Sequence, residues 1–328
     1  MRKKWKLQRK RLFFWFLSII FTSVCAFVTI GASKEKTQEQ PPVVLRLWHV
    51  DSFEGGKGAR ASFLKRVAAK YKAETGVIIT VSSLTRIGAQ EAFAKGNYPD
   101  LFSFGNGVSS ALERAVSLRG VEEKALIGGE KRAVAWCKGG YAVYSKKDDF
   151  SQISAENTVL SQGGNNLPSV AMAVGGFQGE YTEFPSTTAY VKFLNGEYAY
   201  LVGTQRDLYR FSSRGVPVFM KPLTKFCDLY QYLSVTAEGD ERIKPAMEFA
   251  AFLLSENVQK TLVEVGMSSA VCSVYGGGEM QAEMDKEPPK YTLPAFIGAE
   301  GLRGVKQAAL SVLRGESDVG LKKFLKSV

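Results

Sequence analysis

The single histidine of the chain stands close to an acid and a hydroxyl, a combination that can support hydrolysis. His49, Asp51 and Ser52 lie within four positions of one another. Residues one or two apart on an extended segment point to opposite faces or crowd each other, so these three cannot line up as a proton relay. With one histidine in 328 residues, two-histidine zinc sites are also excluded. The sequence therefore predicts a non-enzyme with no catalytic residue, metal or cofactor.

Two polar segments are better suited to binding a ligand. The loop from Asp51 to Gly58 is rich in glycine but lacks the G-x-x-x-x-G-K-[ST] spacing of a phosphate loop. Its exposed N–H groups can hold a ligand oxygen or simply form a tight turn. The acids Asp51 and Glu54, with Asp207 further along the chain, leave a cationic ligand open. Further along, a polar cluster follows an apolar strand, where open α/β sheets place ligands. It contains Thr204, Gln205, Arg206 and Asp207.

Within that cluster, Arg206 has two possible roles. Its guanidinium can fork onto a carboxylate or bridge sugar hydroxyls, or it can pair with Asp207 as a structural contact at the strand end. The aromatic residues Trp48, Trp136 and Tyr141 pose a similar choice, because aromatic faces stack on sugars and cations but also fill cores. Both alternatives stay open for each of these residues.

The elements that position these residues alternate between strand and helix. An apolar strand at 43–48, a helix at 61–74 and a second strand at 77–81 form a βαβ unit, which indicates a parallel sheet. Further strands are predicted at 99–104, 198–202 and 230–235. Residues 151–180 are predicted to hold only loops and short elements, and two helices at about 302–314 and 317–327 close the chain. The class is α/β.

The N-terminus predicts the compartment. Residues 1–11 hold seven of the 43 basic residues, and without them 36 basic and 32 acidic residues remain, a net charge of +4. The folded part therefore lacks the basic excess of a nucleic-acid-binding protein. The uncharged stretch 12–32 reaches about 30 Å as a helix, enough to span a bilayer. An uncleaved anchor, a cleaved signal peptide and lipidation at Cys25 are all open, and each places the rest outside the cytoplasm. Residues 33–42 form a linker.

Three cysteines follow the leader: Cys137, Cys227 and Cys272. An odd number allows at most one disulfide and leaves a thiol over. Their spacing matches no metal knuckle, so burial as small hydrophobic residues is the simpler role.

Five segments in this order resemble the extracellular solute-binding proteins of bacterial ABC importers (family 1), a group typified by sugar receptors. Leu45–His49 resembles the first strand of that family, and Asn97–Phe102 its G-x-x-P-D strand. Gly140–Lys146 is similar to its crossover strand, and Phe193–Gly203 to its F-x-x-G-x-x-A-M-x-x-G motif. Ala250–Leu262 resembles F-x-x-F-L-x-S-x-E-x-Q-x-x-L most closely.

The resemblance implies two α/β lobes with a ligand cleft between them. Lobe one would comprise 43–140 plus 214–275, and lobe two 145–210 plus 280–328. The cleft would be lined by the loop after Trp48, by Asn106, by Trp136 and Tyr141 at the hinge, and by Thr204–Asp207.

The function implied is that of a monomeric receptor, which captures a small solute and delivers it to the transmembrane subunits of an ABC permease. A carbohydrate is favoured over a polyamine or another small organic ligand. A membrane-anchored sensor that uses the same fold to signal through a partner protein is the alternative, and an exported enzyme is a third.

Overall fold

The computed structural model describes residues 42–118, 120–127 and 131–328. The predictions for residues 1–41, which include the hydrophobic segment, Cys25 and nearly all of the linker, lie outside the described residues. Within the described ranges, no helix combines the length and apolar character that a membrane span requires.

The first sheet is built around a fully buried strand. Its members are β1 (Val44–His49), β2 (Ile78–Ser83), β3 (Leu101–Phe104), β4 (Val134–Lys138) and β10 (Tyr230–Val235), in the order β2-β1-β3-β10-β4. The strand β1 runs parallel to β2 and β3, whereas β10 runs antiparallel to β3 and β4. Since β10 lies between two neighbours and under helices, all six of its residues are buried. We call the part of the chain built on this sheet lobe one.

The second sheet repeats this plan. Its members are β5 (Tyr141–Ser145), β6 (Thr158–Gln162), β7 (Thr182–Pro185), β8 (Tyr200–Thr204) and β9 (Phe219–Pro222), in the order β7-β6-β8-β5-β9. The strand β6 is parallel to β7 and β8, whereas β5 is antiparallel to β8 and β9. We call the part built on this sheet lobe two.

The chain passes from one sheet to the other in two adjacent segments. Gly139 and Gly140 join β4 to β5, and residues 223–229 join β9 to β10. The two segments touch, because the N–H of Gly139 donates to the carbonyl of Leu229 at 2.7 Å. The expected return to lobe one at residue 214 is wrong for β9, which pairs with β5 and therefore belongs to lobe two.

Helices cover both sheets. Lobe one carries α1 (Arg60–Thr75), α2 (Arg86–Ala94), α6 (Asp240–Leu254) and the short α7 (Glu256–Gln259). Lobe two carries α3 (Pro168–Gly175), α4 (Ser186–Leu194), α5 (Gln205–Ser213) and α9 (Ala299–Leu313), which packs on α3. The remaining short elements are α8 (Met280–Asp285), β11 (Tyr291–Thr292), α10 (Val319–Lys322), β12 (Lys326–Ser327) and, within the described residues, two 3-10 helices, Glu123–Ala125 and Lys260–Val265. The helix α1 buries one face and ends at Gly76, whose φ of 78° suits glycine.

One of two sequence predictions for these regions is wrong. Residues 151–180 do hold short elements, the five-residue β6 and the eight-residue α3, both buried over most of their length. The helix expected at 317–327 is limited to the four residues of α10, because residues 326–327 leave the helix and pair with β11 as β12.

A separate aromatic cluster forms the core on one face of lobe two. Phe211 of α5 is fully buried there, and its ring centroid lies 5.0–5.4 Å from those of Tyr144, Tyr190 and Phe193. We expect Phe211→Ala to lower the free energy of unfolding by about 3–5 kcal/mol, because it removes buried contacts and leaves a cavity. Chemical denaturation measures the change. Phe219→Ala is the matched control, since the Phe219 side chain is largely exposed, and an equal loss in both variants would contradict this account.

Candidate functional site

The end of β1 carries a buried polar network. The Nδ1 atom of His49 lies 3.0 Å from the Ser103 hydroxyl, and its Nε2 atom lies 2.9 Å from Oδ1 of Asp51. Burial lowers the pKa of His49 despite the hydrogen bond to Asp51, so the ring is neutral. A neutral ring that donates from Nε2 to Asp51 accepts at Nδ1 from Ser103. Both nitrogens are thus occupied, and His49 positions Asp51 rather than activating a nucleophile.

Asp51 is held as an anion at the rim of this network. Its partial burial opposes ionisation, but the His49 hydrogen bond and the charge of Arg60 outweigh it and lower the pKa of Asp51 to about 2. Arg60, the first residue of α1, donates from Nε to Asp51 at 2.9 Å and from Nη2 to the Phe53 carbonyl. Its guanidinium also lies over the Phe53 ring, 4.1 Å from the centroid.

The glycine-rich loop lies against the segment that follows α7. The N–H of Lys57 donates to the Val265 carbonyl at 2.9 Å, and the N–H of Gly56 lies 3.1 Å from the Met267 sulfur. A Cβ at position 56 would come within 2.0 Å of the Val265 oxygen. Glycine is therefore required at Gly56, so the tight-turn interpretation of this loop applies at that position.

The start of α5 faces this loop from lobe two. Thr204 caps the helix together with Asp207, whose Oδ2 accepts from the Thr204 N–H at 3.1 Å. Arg206 crosses to lobe one, where its Nη1 donates to the Gly56 carbonyl at 2.9 Å. The Arg206–Asp207 pair, one of the two roles left open for Arg206, does not form, because Asp207 binds Arg210 at 3.0 Å instead.

Arg210 links the two lobes through charge. It binds Asp207 within lobe two and Glu54 of lobe one, the latter at 2.9 Å. Asp207 is 1% exposed, and burial raises its pKa although Arg210 opposes the shift. Asp207 is therefore a buried support for the helix, whereas Glu54 stands at the edge of the interlobe groove.

A second set of polar contacts joins the lobes beside the crossing segments. The Asn165 amide of lobe two donates to the Asn106 carbonyl at 2.7 Å, and the Asn165 N–H donates to the Ser52 carbonyl at 2.7 Å. Asn106 in turn donates to the Asp228 carbonyl at 2.7 Å, and the Tyr141 hydroxyl donates to Oδ1 of Asp228 at 2.7 Å. Asn106 and Tyr141 thus lie where the lobes meet.

Asp228 is the most unusual carboxyl group of this contact. It is 2% exposed, and its Oδ2 has no hydrogen-bond partner among the described residues. Burial raises the pKa of Asp228 to about 7, although hydrogen bonds from Tyr141 and Asn106 oppose the shift. No sequence signal marks it, because its burial arises only when residues 223–229 pass between the sheets.

The structure corrects the positions of both tryptophans. Trp48 packs on Phe93 of α2, with ring centroids 5.9 Å apart, and Trp136 stacks on Phe63 of α1 at 5.5 Å. Both indoles lie under helices in the core of lobe one and not in the cleft. Their strands, β1 and β4, present these side chains to the helical layer.

Two pockets open between the lobes on either side of the Arg206–Gly56 contact. The Arg206 pocket, of about 430 Å³, is lined by Asp51, Glu54, Lys57, Arg60 and Arg206 together with the glycine loop. The Tyr209 pocket, of about 240 Å³, is lined by Lys57, Gln205, Tyr209, Glu264, Tyr275, Glu279 and Gln281. Lys57 lines both. Of the predicted residues, the structure brings Asp51, Glu54, Gln205 and Arg206 to this groove.

A pocket of about 490 Å³ at Arg46, Asp100 and Arg242 is larger than either but belongs to lobe one alone. Its charged groups are engaged with each other, because Asp100 accepts two hydrogen bonds from Arg242 at 2.6 and 2.7 Å and one from the Arg46 N–H. We assign it a structural role.

In the described ranges, no group of three histidine, cysteine, aspartate or glutamate side chains is arranged to hold a metal ion. Cys137, Cys227 and Cys272 are free thiols. Burial raises the pKa values of Cys137 and Cys227 to about 12, so neither forms a reactive thiolate at neutral pH.

Solved structures with this architecture are found across bacteria, although no family model and no curated protein matches the sequence. Iron-bound HitA of Pseudomonas aeruginosa is 17% identical, with a TM-score of 0.56 over 84% of this chain and 99% of HitA. The cyclic alpha-maltosyl-1,6-maltose binding protein of Arthrobacter globiformis is 13% identical, with a TM-score of 0.57 over 86% and 97%. The chain has the fold of bacterial extracellular solute-binding proteins.

A third solute-binding-protein structure has the same fold as this chain. The extracellular solute-binding protein of Staphylococcus aureus in complex with maltose is 13% identical, with a TM-score of 0.56 over 87% of this chain and 96% of the other. These matches confirm the predicted two-lobed solute-binding-protein fold. The ligands that these three proteins are named for include iron and sugars, so the fold by itself leaves the ligand class open.

The raised pKa of Asp228 predicts a pH dependence of stability. The folded state holds the Asp228 proton up to about pH 7, whereas the unfolded chain releases it near pH 4. The stability contributed by this group is therefore present below pH 4 and is lost as the pH rises to about 7, by about 4 kcal/mol in total.

We expect Asp228→Asn to remove this pH dependence of stability. Its free energy of unfolding should therefore increase relative to that of the original chain as the pH rises from 4 to 8. Free energies of unfolding measured across that range test it, with the exposed Asp148→Asn as control. Parallel pH profiles for the original chain and Asp228→Asn would contradict the assignment.

Proposed function

We propose that the chain is an extracytoplasmic receptor of an ABC importer, which captures a small solute between its lobes and delivers it to the transmembrane permease. The observation that carries the proposal is the interlobe groove, where ionic and amide groups of both lobes converge beside the two crossing segments. The basic and apolar N-terminal sequence supports a location outside the cytoplasm, held at the membrane or secreted.

Capture by closure follows from the contacts that join the lobes. Arg206 reaches Gly56, Arg210 reaches Glu54, and Asn165 reaches Asn106. A partly exposed ion pair contributes about 1 kcal/mol or less, whereas shifting a two-state equilibrium from 1:99 to 99:1 takes about 5.5 kcal/mol. These contacts alone are too weak to hold the lobes closed. A ligand that touches both lobes therefore determines the population of the closed state.

A carbohydrate is the ligand we favour. The Tyr209 pocket combines two tyrosine rings with the amides of Gln205 and Gln281. Amides donate and accept hydrogen bonds, as sugar hydroxyls require, and aromatic faces pack on sugar C–H groups. Asp51, Glu54, Gln205 and Arg206 are the predicted residues that we propose contact the ligand, and no reaction is required of them.

The ligand class can be found by thermal unfolding of the full chain in mild detergent with neutral and acidic sugars, polyamines and amino acids. A ligand at 100 times its Kd stabilises the native state by about 2.7 kcal/mol and should raise the Tm by a few degrees. We expect the shift with sugars. A shift with polyamines alone would contradict the carbohydrate preference, and no shift with any class would contradict the receptor proposal for these solutes.

Closure predicts a role for an amide that lines neither pocket. Asn165→Ala removes a hydrogen bond across the lobes, so we expect the ligand Kd to rise about two- to tenfold while the fold is kept. Titration calorimetry measures the Kd, and small-angle scattering shows whether the ligand still makes the protein more compact. Asn195→Ala, at an exposed helix end within lobe two, is the matched control. Equal affinity in both variants would argue against these interlobe contacts as part of the bound state.

A further inference from the structure

The charges around the Arg206 pocket do not cancel. Asp51 is bound by Arg60 and His49, and Glu54 is bound by Arg210. Each pocket carboxylate is therefore already engaged by an arginine. In the part of the chain that the structure describes, the Lys57 ammonium and the Arg206 guanidinium have no carboxylate partner.

Arg206 retains most of its hydrogen-bonding capacity. Its Nη1 donates to the Gly56 carbonyl, and its guanidinium lies 5.6 Å from the centroid of the Tyr209 ring. A guanidinium offers five N–H donors in a planar fork that matches the two oxygens of a carboxylate or phosphate. A group placed at this pocket would reach Arg206 and Lys57 from the two sides of the groove.

Arg60 adds a buried donor with no partner. Its side chain is 3% exposed and lines the pocket, and its Nη1 makes no hydrogen bond among the described residues. An unpaired buried donor is unfavourable, and more so on a charged group. An oxygen acceptor arriving in the pocket would relieve that cost if it came within reach of Nη1.

The start of α1 also favours a negatively charged group in this pocket. The helix has 16 residues, its N-cap Ala59 provides no side-chain hydrogen bond, and its first turn contains no acid. Gly58, Ala59 and Arg60 form part of the pocket wall. Unpaired N–H groups and the dipole of a helix start stabilise anions, and no side chain of the described residues caps the start of α1.

From these three features we propose that the Arg206 pocket binds an anionic oxygen group, a carboxylate or a phosphate, carried by the captured solute. The proposal rests on the receptor function proposed above and narrows its ligand to an acidic solute. The Tyr209 pocket, which shares Lys57, would then receive the uncharged remainder of the same molecule. The cationic ligand left open by the acids Asp51 and Glu54 is disfavoured, because both acids are engaged by arginines.

The test compares solutes that differ in one charged group, using calorimetry on the full chain in mild detergent. The pairs are galactose and galacturonate, glucose and glucose 6-phosphate, and glutamine and glutamate, with inorganic phosphate alone as a further probe. We expect the charged member of at least one pair to bind at least tenfold more tightly than its neutral partner. The carboxylate and phosphate pairs distinguish the two sources of the anion. That preference should shrink as sodium chloride rises from 50 to 500 mM.

Variants connect the preference to the pocket. Arg206→Gln and Lys57→Gln should each weaken binding of the charged ligand by about tenfold or more beyond any weakening of its neutral partner. Arg206→Lys keeps the charge but loses the planar fork. Its affinity for the charged ligand should therefore lie between those of the original chain and Arg206→Gln. Lys65→Gln, an exposed lysine of α1 that does not line the pocket, is the control. Unfolding curves confirm that each variant is folded.

The outcomes separate the two proposals. If neutral members bind as well as or better than charged ones, or if the preference survives in both Arg206→Gln and Lys57→Gln, the anion site is wrong and the receptor function stands. If no member of any pair binds, the receptor proposal for these solutes fails and the anion site fails with it.

Discussion

Each sheet is completed by a strand that arrives directly from the other sheet. The strand β5 follows β4 after two glycines, β10 follows β9 after seven residues, and each runs against its parallel neighbours. The two connections must lie side by side, and they do so through the Gly139–Leu229 hydrogen bond. This shared crossing brings the loop after β1 opposite the start of α5. Every contact across the groove depends on it.

Some charged side chains of the groove are paired with one another, whereas Lys57 and Arg206 have no carboxylate partner among the described residues. Asp51, Glu54 and Asp207 could have formed an acidic site, yet each is bound by an arginine that is itself partly buried. Burying these carboxylate–arginine pairs costs desolvation free energy. Their main effect is therefore to fix the positions of the groups and not to stabilise the fold. It holds the glycine loop and the first turn of α5 in place, and it leaves Lys57 and Arg206 as charges facing the opening.

Sequence alone predicts the parts of this structure that have local patterns. The unit β1–α1–β2 and the strand β10 follow from periodicity, and the segment order indicated two lobes. The burial of β6 and α3 within residues 151–180 leaves no local signal, because it comes from the neighbouring strands of the sheet and from α9. The same limit applies to the site. Ser103 contacts His49 across 54 positions, and Asp228 contacts Tyr141 across 87, so neither pairing leaves a local signal.

One contact between the lobes is made by sulfur. The buried thioether of Met267 lies 3.1 Å from the Gly56 nitrogen and 3.5 Å from the Gln205 amide nitrogen, so it accepts from both lobes at once. A thioether is a weak acceptor and a polarisable, flexible group. When the lobes separate, the sulfur leaves no strong acceptor unsatisfied, and the two donors can turn to water. The contact is therefore easily broken and re-formed. Each opening at this point costs little of the free energy that closing releases.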